Sequence, residues 1–324
     1  MDLTIALERY DRHFPFFDGS VKAPAGTNYR ALQVGQSHPL KDGIDRHGCM
    51  LHKKLYDVAE FSMSTYLMAI DRKVPIIGIP VFPRRLFSSG LMFVRADSTI
   101  TEPRQLKGKR VAIRAFQTTL SLLAKGDLKF EYGMPWEDIH WLVEDEEKIP
   151  FTPKAGVKIE MLPKGSDVGH LLRDGKCDAV IQPHPPGSIM KGEVKVRRLF
   201  SDPDGEELRY YKKYGYWPIM HIVVMWQELA DKNPWLPAAL MEMWGQAKAI
   251  SRDYYTDPNW SQLAWGRRHF EREQERFGTD NLFPTGVAAN RGNLEQFIKY
   301  SKDQALIKGD FGVDDLFHPS VCGS

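Results

Sequence analysis

The chain has 324 residues, 42% of them hydrophobic and 27% charged, the balance of a soluble globular protein with room for two domains or one large one. Forty-four Lys and Arg against 42 Asp and Glu leave a formal charge of +2, and no basic cluster breaks that balance, which excludes nucleic acid as an electrostatic partner. No stretch approaches a membrane-spanning length, and three scattered cysteines, Cys49, Cys177 and Cys322, carry no metal or redox motif and fit a reducing compartment.

Short apolar runs alternate with helical patterns, the signature of an α/β fold. Residues 3–7 predict a first strand, too short and too closely followed by Glu8 and Arg9 for a secretory signal, so the expected location is cytoplasmic. Residues 28–36 predict a strand, 47–54 a helix and 56–61 a short strand. A helix over 64–72 follows, with Ser62 as N-cap. Residues 75–82 read as a buried strand and 91–95 as another. A short helix, a turn at 107–108, a strand at 110–114 and a helix from Thr119 come next. The patch VEDEEKIPFTPKAG, 143–156, reads as a solvated loop. Strands are expected at 157–162 and 178–182 around a helix at 167–173. The segment GYWPIMHIVVM, 215–225, predicts a returning strand, and 234–305 is mainly helical.

This order implies two lobes, 1–96 with 208–324 and 97–207, joined by two crossovers as a hinged clamshell with its ligand in the cleft. The C-terminal helices would complete the first lobe. Their tryptophans, Trp235, Trp244, Trp260 and Trp265, suit a core or a homo-oligomer interface equally.

Several candidate site residues stand where strands run out, the edge at which open α/β sheets hold ligands. The loop ERYDRHF places Arg9, Tyr10, Asp11, Arg12 and His13 directly after the first strand; a solvated loop with a local ion pair is the plainer alternative. Glu60 lies between an apolar strand and a helix start, where desolvation would raise its pKa and suit it to proton transfer. The alternative is a carboxylate accepting backbone amides. Arg84 and Arg85 offer guanidinium forks for a carboxylate ligand. Gln117, Thr118 and Thr119 open a helix whose free amides would attract an anion, with Thr118 as a plain N-cap the structural alternative. His184, between prolines, is either a cleft group or part of a rigid connector. His221 starts an apolar strand, where most histidines are hydrogen-bonded core residues, but its place at a lobe crossing directs it to the cleft. No compact metal motif is present, so a divalent metal would need ligands from distant segments, such as Glu60, His184 and His221.

The stretches YDR, DVAEFSMSTYLMA, IPVFPRRLF, LKGKRVAI with its following Gln and Thr, EYG, the paired prolines after DAVI, VRRLF and PIMH with the valines after it occur in an order that resembles the 4,5-dihydroxyphthalate decarboxylases. The resemblance runs from about residue 8 to 225, and the C-terminal helices match only in general character. It implies a type II periplasmic-binding-protein fold used as an enzyme, with non-oxidative loss of CO2 from an ortho-dihydroxylated aromatic carboxylate, as in bacterial phthalate degradation. Arg12, Glu60, Arg84, Gln117 and His221 fall in the shared motifs. His184 departs from the family pattern, in which arginine commonly precedes the two prolines. A histidine holds a second carboxylate less strongly, so a monocarboxylated phenol stands beside the diacid as substrate.

The expected chemistry is proton transfer by His221 with Glu60, a substrate held by Arg12, Arg84, Gln117, Thr118 and His184, and no organic cofactor, with a divalent metal as the alternative way to stabilise a phenolate. Two other readings of the same fold are a binding protein for a small acid and a cytoplasmic enzyme acting on another small cyclic substrate.

Overall fold

The computed structural model describes residues 1–35 and 44–324. Its strands in chain order are β1 (Asp2–Leu7), β2 (Asn28–Gln33), β3 (Val58–Ser62), β4 (Ile76–Ile79), β5 (Met92–Arg95), β6 (Arg110–Ile113), β7 (His140–Val143), β8 (Lys158–Met161), β9 (Ala179–Ile181), β10 (Val196–Arg198) and β11 (His221–Trp226). Of the strand expected over 28–36, residue 36 lies outside the described residues. The chain forms two compact units, the α/β lobes of a periplasmic-binding-protein-like fold. One comprises Met1–Arg85, Ile219–Glu295 and Asp310–Ser324, and the other Leu86–Pro218 and Gln296–Gly309. The first crossing therefore falls at 85/86 rather than 96/97 and the return at 218/219 rather than 207/208, while 296–309 joins the second unit.

The first unit is built on a five-stranded sheet of order β2-β1-β3-β11-β4. β1 pairs in parallel with β2 and β3, and β11 lies antiparallel between β3 and β4. All five residues of β3 are buried, as both faces of a central strand must be. Leu3, Ile5 and Leu7 of β1, at period two, join Val58, Ile79, Val223 and Met225 and the inner stripe Leu240, Met243, Trp244 and Ala247 of the helix Leu236–Asp253 in one core. The helix Met63–Asp71 starts at Ser62, whose hydroxyl accepts the Thr65 amide at 3.4 Å, the expected N-cap.

The second unit has a six-stranded sheet of order β10-β5-β9-β6-β7-β8. β9, β6, β7 and β8 are parallel, and β5 and β10 form an antiparallel edge. Its core gathers Ala112, Leu142, Leu162, Val168, Leu172 and Val180.

Two local expectations need correction, and one helix had none. The helix over 47–54 is a short turn, Arg46–Gly48, continued by a π-helical turn, Cys49–Lys53. The 143–156 patch is not simply a solvated loop. It begins at the end of β7, and Ile149 is buried. Phe151 stacks on Phe116 at 5.3 Å, and Glu147 accepts the Phe116 and Gln117 amides at 2.6 and 3.0 Å. The helix Pro203–Tyr214 was not anticipated at all.

Candidate active site

The site of the first unit grows from the register of two strands. His221 stands opposite Ser62, and Val223 opposite Glu60, so His221 and Glu60 are diagonal neighbours on one sheet face. That face carries the apolar core, and the two residues end it where the strands run out. Glu60 has no solvent exposure and His221 is 8% exposed. His221 Nδ1 meets Glu60 Oε1 in a short hydrogen bond.

The other Glu60 oxygen accepts the Glu8 amide at 3.0 Å and lies 3.6 Å from Arg46 Nη2. Arg46 is itself buried. It donates from Nε to the Glu60 carbonyl at 2.8 Å and pairs through Nη1 with Glu8 Oε2 at 3.2 Å. Glu60 thus behaves contrary to the expectation of a raised pKa. Burial does work against its charge, but Arg46 and then His221 overcome it and hold the carboxyl well below the usual range. Burial lowers the His221 pKa, against the pull of the Glu60 carboxylate. The pair is therefore an ionised carboxylate beside an imidazole that gives up its extra proton readily. With Nδ1–H committed to Glu60, Nε2 is the nitrogen left to exchange a proton with a ligand.

Three residues of the first loop pack together, and two of them, Tyr10 and His13, interact with Glu60. His13 is fully buried; Trp244 Nε1 donates to its Nε2 at 3.3 Å, so Nδ1 carries the proton and donates to the Glu8 carbonyl at 2.9 Å. Burial pulls its pKa down to about 4, which keeps it a neutral structural group. Tyr10 presents its ring to the Arg12 guanidinium at 4.2 Å and to His13 at 5.3 Å. Arg12 donates from Nε to the Pro83 carbonyl at 2.5 Å, pairs with Asp11 at 3.2 Å and lies over Phe283 at 4.5 Å.

The two adjacent arginines have parted roles. Arg85 is buried and its Nη2 donates to Asn290 Oδ1 and, at 3.2 Å, to the Pro284 carbonyl, so it holds the C-terminal segment of this unit. Arg84 accepts the Met220 and His221 amides on its carbonyl, at 2.8 and 3.2 Å. Its cationic side chain acts on both His221 and Tyr10.

Gln117, Thr118 and His184 belong to the second unit. Gln117 is buried and donates from Nε2 to the Ile149 carbonyl at 3.3 Å, and its amide meets Glu147. Glu147 takes the Phe116 and Gln117 amides, ahead of the helix start at Thr119. Thr118 occupies the N-cap position of the helix Thr119–Phe130 without a capping hydrogen bond from its side chain. Its hydroxyl donates to the Ala115 carbonyl at 3.2 Å and meets Ser121 Oγ at 2.7 Å. His184 lines a cavity of about 330 Å³ with Arg114, Glu144, Lys164, Ser166 and Gln182, at the carboxyl ends of β6, β7, β8 and β9. Burial pushes the Glu144 carboxyl up to about 7.

Among the described residues no three His, Cys, Asp or Glu side chains gather as metal ligands would; Glu60 and His221 belong to the first unit and His184 to the second. Sequence reasoning missed Arg46, Glu8 and His47, whose ring lies 5.4 Å from that of His221. Arg46 reaches its partners across 14 and 38 residues, and no local pattern marks such a contact.

No protein-family model matches the chain, and among the described residues no helix is long and apolar enough to cross a membrane. The chain is 30% identical to a 4,5-dihydroxyphthalate decarboxylase of Comamonas testosteroni over 99% of its length and 97% of the relative's. It is 29% identical to one of Pseudomonas putida over 67% of its length and 83% of the relative's. Among solved structures it is similar to a putative sulfonate-binding periplasmic protein, SsuA, of Methylobacillus flagellatus (TM-score 0.58, 13% identity, 98% and 92% of the two chains). The aliphatic sulphonate binding protein SsuA of Escherichia coli (0.55, 12%, 98% and 91%) and the desulfurization enzyme DSZB (0.52, 13%, 98% and 96%) share the fold. Identity along nearly the whole of both chains places this protein in the 4,5-dihydroxyphthalate decarboxylase family, as a carboxy-lyase of an aromatic acid.

Proposed function

We propose that the protein removes CO2 without oxidation from a hydroxylated aromatic carboxylate of the 4,5-dihydroxyphthalate type, with Glu60 and His221 handling the proton. The observation that carries this reading is the buried Glu60–His221 hydrogen bond, which ties the imidazole to a carboxylate through Nδ1 and leaves Nε2 for the ligand. The names of the two relatives supply the substrate class.

His221 Nε2 accepts a phenol proton, and Glu60 stabilises the imidazolium that forms. The phenolate pushes electron density to the ring carbon that bears the carboxylate. That carbon takes the proton back from His221, giving a ring ketone. The carbon–carbon bond then breaks, CO2 leaves, and its electron pair restores the aromatic ring as a phenolate, which is protonated by solvent. One proton enters for each CO2 released. Arg84 and Arg12 supply positive charge to orient the substrate carboxylate. The route needs no organic cofactor and no metal step.

Purified protein incubated with a panel of hydroxylated benzoates and phthalates, with CO2 followed, tests the reading. Ortho-dihydroxylated acids are expected to release CO2, and His221→Ala to lower turnover by at least about a hundredfold with an unchanged circular dichroism spectrum. Tight binding without CO2 across the whole panel would instead make the protein a small-acid binder on the fold that sulfonate-binding proteins also use.

A further inference from the structure

The Tyr10 hydroxyl is a polar group of the first unit's site that the chemistry above does not use. Its oxygen is buried and has no hydrogen-bond partner among the described residues, although buried hydroxyls in native proteins nearly always have one. The ring has little freedom to find one. Its backbone amide is tied to the Glu8 carbonyl at 3.1 Å, and the Tyr10 carbonyl accepts the His13 amide at 2.9 Å. Arg12 and His13 pack against the ring at 4.2 and 5.3 Å. Glu8, two residues earlier, gives its amide to Glu60, so one turn of chain fixes both the carboxylate and the phenol.

We propose that Tyr10 donates a hydrogen bond from its phenol to an oxyanion of the bound aromatic acid, a further substrate-contacting group of this site. The inference rests on the decarboxylase reading for the identity of the ligand. Charge selects an anion as the acceptor. Arg84, Arg46 and Arg12 all act on this phenol, against the single carboxylate Glu60, and Glu60 is already committed to His221, Arg46 and the Glu8 amide. Burial raises the phenol above its ordinary pKa, so the proton stays on Tyr10 and is available to donate. A neutral donor held rigidly before substrate arrives stabilises charge that develops on a phenolate or carboxylate oxygen without reorganising.

Tyr10→Phe removes the hydroxyl and keeps the ring. The proposal expects thermal stability equal to or slightly above that of the wild type, since no protein hydrogen bond is lost. It expects kcat/KM for CO2 release to fall by about a hundredfold, carried mainly by kcat. Calorimetric affinity for 3,4-dihydroxybenzoate should fall; a smaller fall for benzoate, which lacks the phenol, would put the contact at the phenolate oxygen, and an equal fall would put it at the carboxylate. A variant that melts several degrees lower would show the hydroxyl to be bonded within the protein. Unchanged kcat/KM and unchanged affinities would overturn the proposal equally. If the wild type binds these acids but releases no CO2, the decarboxylase reading fails, and the comparison of affinities still decides the role of Tyr10.

Discussion

At the scale of single residues, the site depends on a buried cation that no sequence pattern announces. Glu8 and Glu60 are both almost fully buried, and Arg46 is the guanidinium between them. Breaking a buried ion pair by removing one partner costs about 3–5 kcal/mol, because the surviving charge has lost its compensation. Arg46→Met is therefore expected to lower unfolding free energy by about that amount in urea titration, and to raise the Glu60 pKa toward the ordinary range or above. A loss under about 1 kcal/mol would mean that the two carboxylates share a proton instead. Glu60 and His221 themselves were legible, since each interrupts an apolar strand near its end. Their contact, expected from the paired role given to them, is made by the pairing of β11 with β3 across 161 positions. The Glu60 environment was read the wrong way. Desolvation could be inferred from flanking apolar residues, but Arg46 could not.

At the scale of elements, legibility follows how much of an element faces a core. The helix Thr119–Phe130 buries most of its residues and was found from its apolar pattern. The helix Pro203–Tyr214 buries only Tyr210 and shows no apolar stripe, yet its end signals were in the sequence: Asp202 as N-cap, Pro203 at the first position and Gly215 at φ 75 beyond the end. The two helices meet chemically at Asp127, which is buried and accepts Ser88 Oγ at 2.6 Å, Tyr300 at 3.1 Å and Tyr210 at 3.3 Å. Burial pushes its carboxyl up from 3.8 to about 7, and the three hydroxyl donors pull it down only in part. Across that interval the folded chain holds a proton that the unfolded chain has released, so this contribution to stability is greatest at low pH and falls as pH rises, by roughly 4 kcal/mol in full. Asp127→Asn keeps an acceptor and removes the charge. In denaturant titrations at about pH 5 and about pH 8 it is expected to flatten this dependence and to be the more stable protein at the higher pH. A variant less stable at both would show that the hydroxyls require a carboxylate.

For the whole molecule, alternation of strands and helices was enough to give the fold class, and the shared motifs gave the family, but the path of the chain was not fully readable. The C-terminal helices looked like one block completing the first lobe. Instead the helix Arg291–Asp303 begins in the first unit, where Asn293 accepts the Ile219 amide at 2.8 Å. Its later turns belong to the second. There Tyr300 covers Gly126 so closely that a Cβ on that glycine would lie 2.0 Å from the ring. Asp303 accepts Trp136 Nε1 at 2.7 Å and pairs with Lys129 at 2.6 Å, and Gln304 donates to the Leu122 carbonyl at 2.8 Å. The second unit is thus contiguous from Leu86 to Pro218 except for the fourteen-residue return that completes its core. The segment 86–218 produced alone is expected to keep helical signal but to lose cooperative unfolding, because Tyr300, Asp303 and Gln304 leave Gly126, Trp136 and Asp127 without their covering groups. Joining residues 296–309 to its end through a flexible linker is expected to restore a cooperative transition, since the tether holds the segment at an effective concentration of about millimolar while the core forms around it. If the short segment already unfolds as sharply as the linked one, the return adds no cooperativity, and the core of this unit is complete within 86–218.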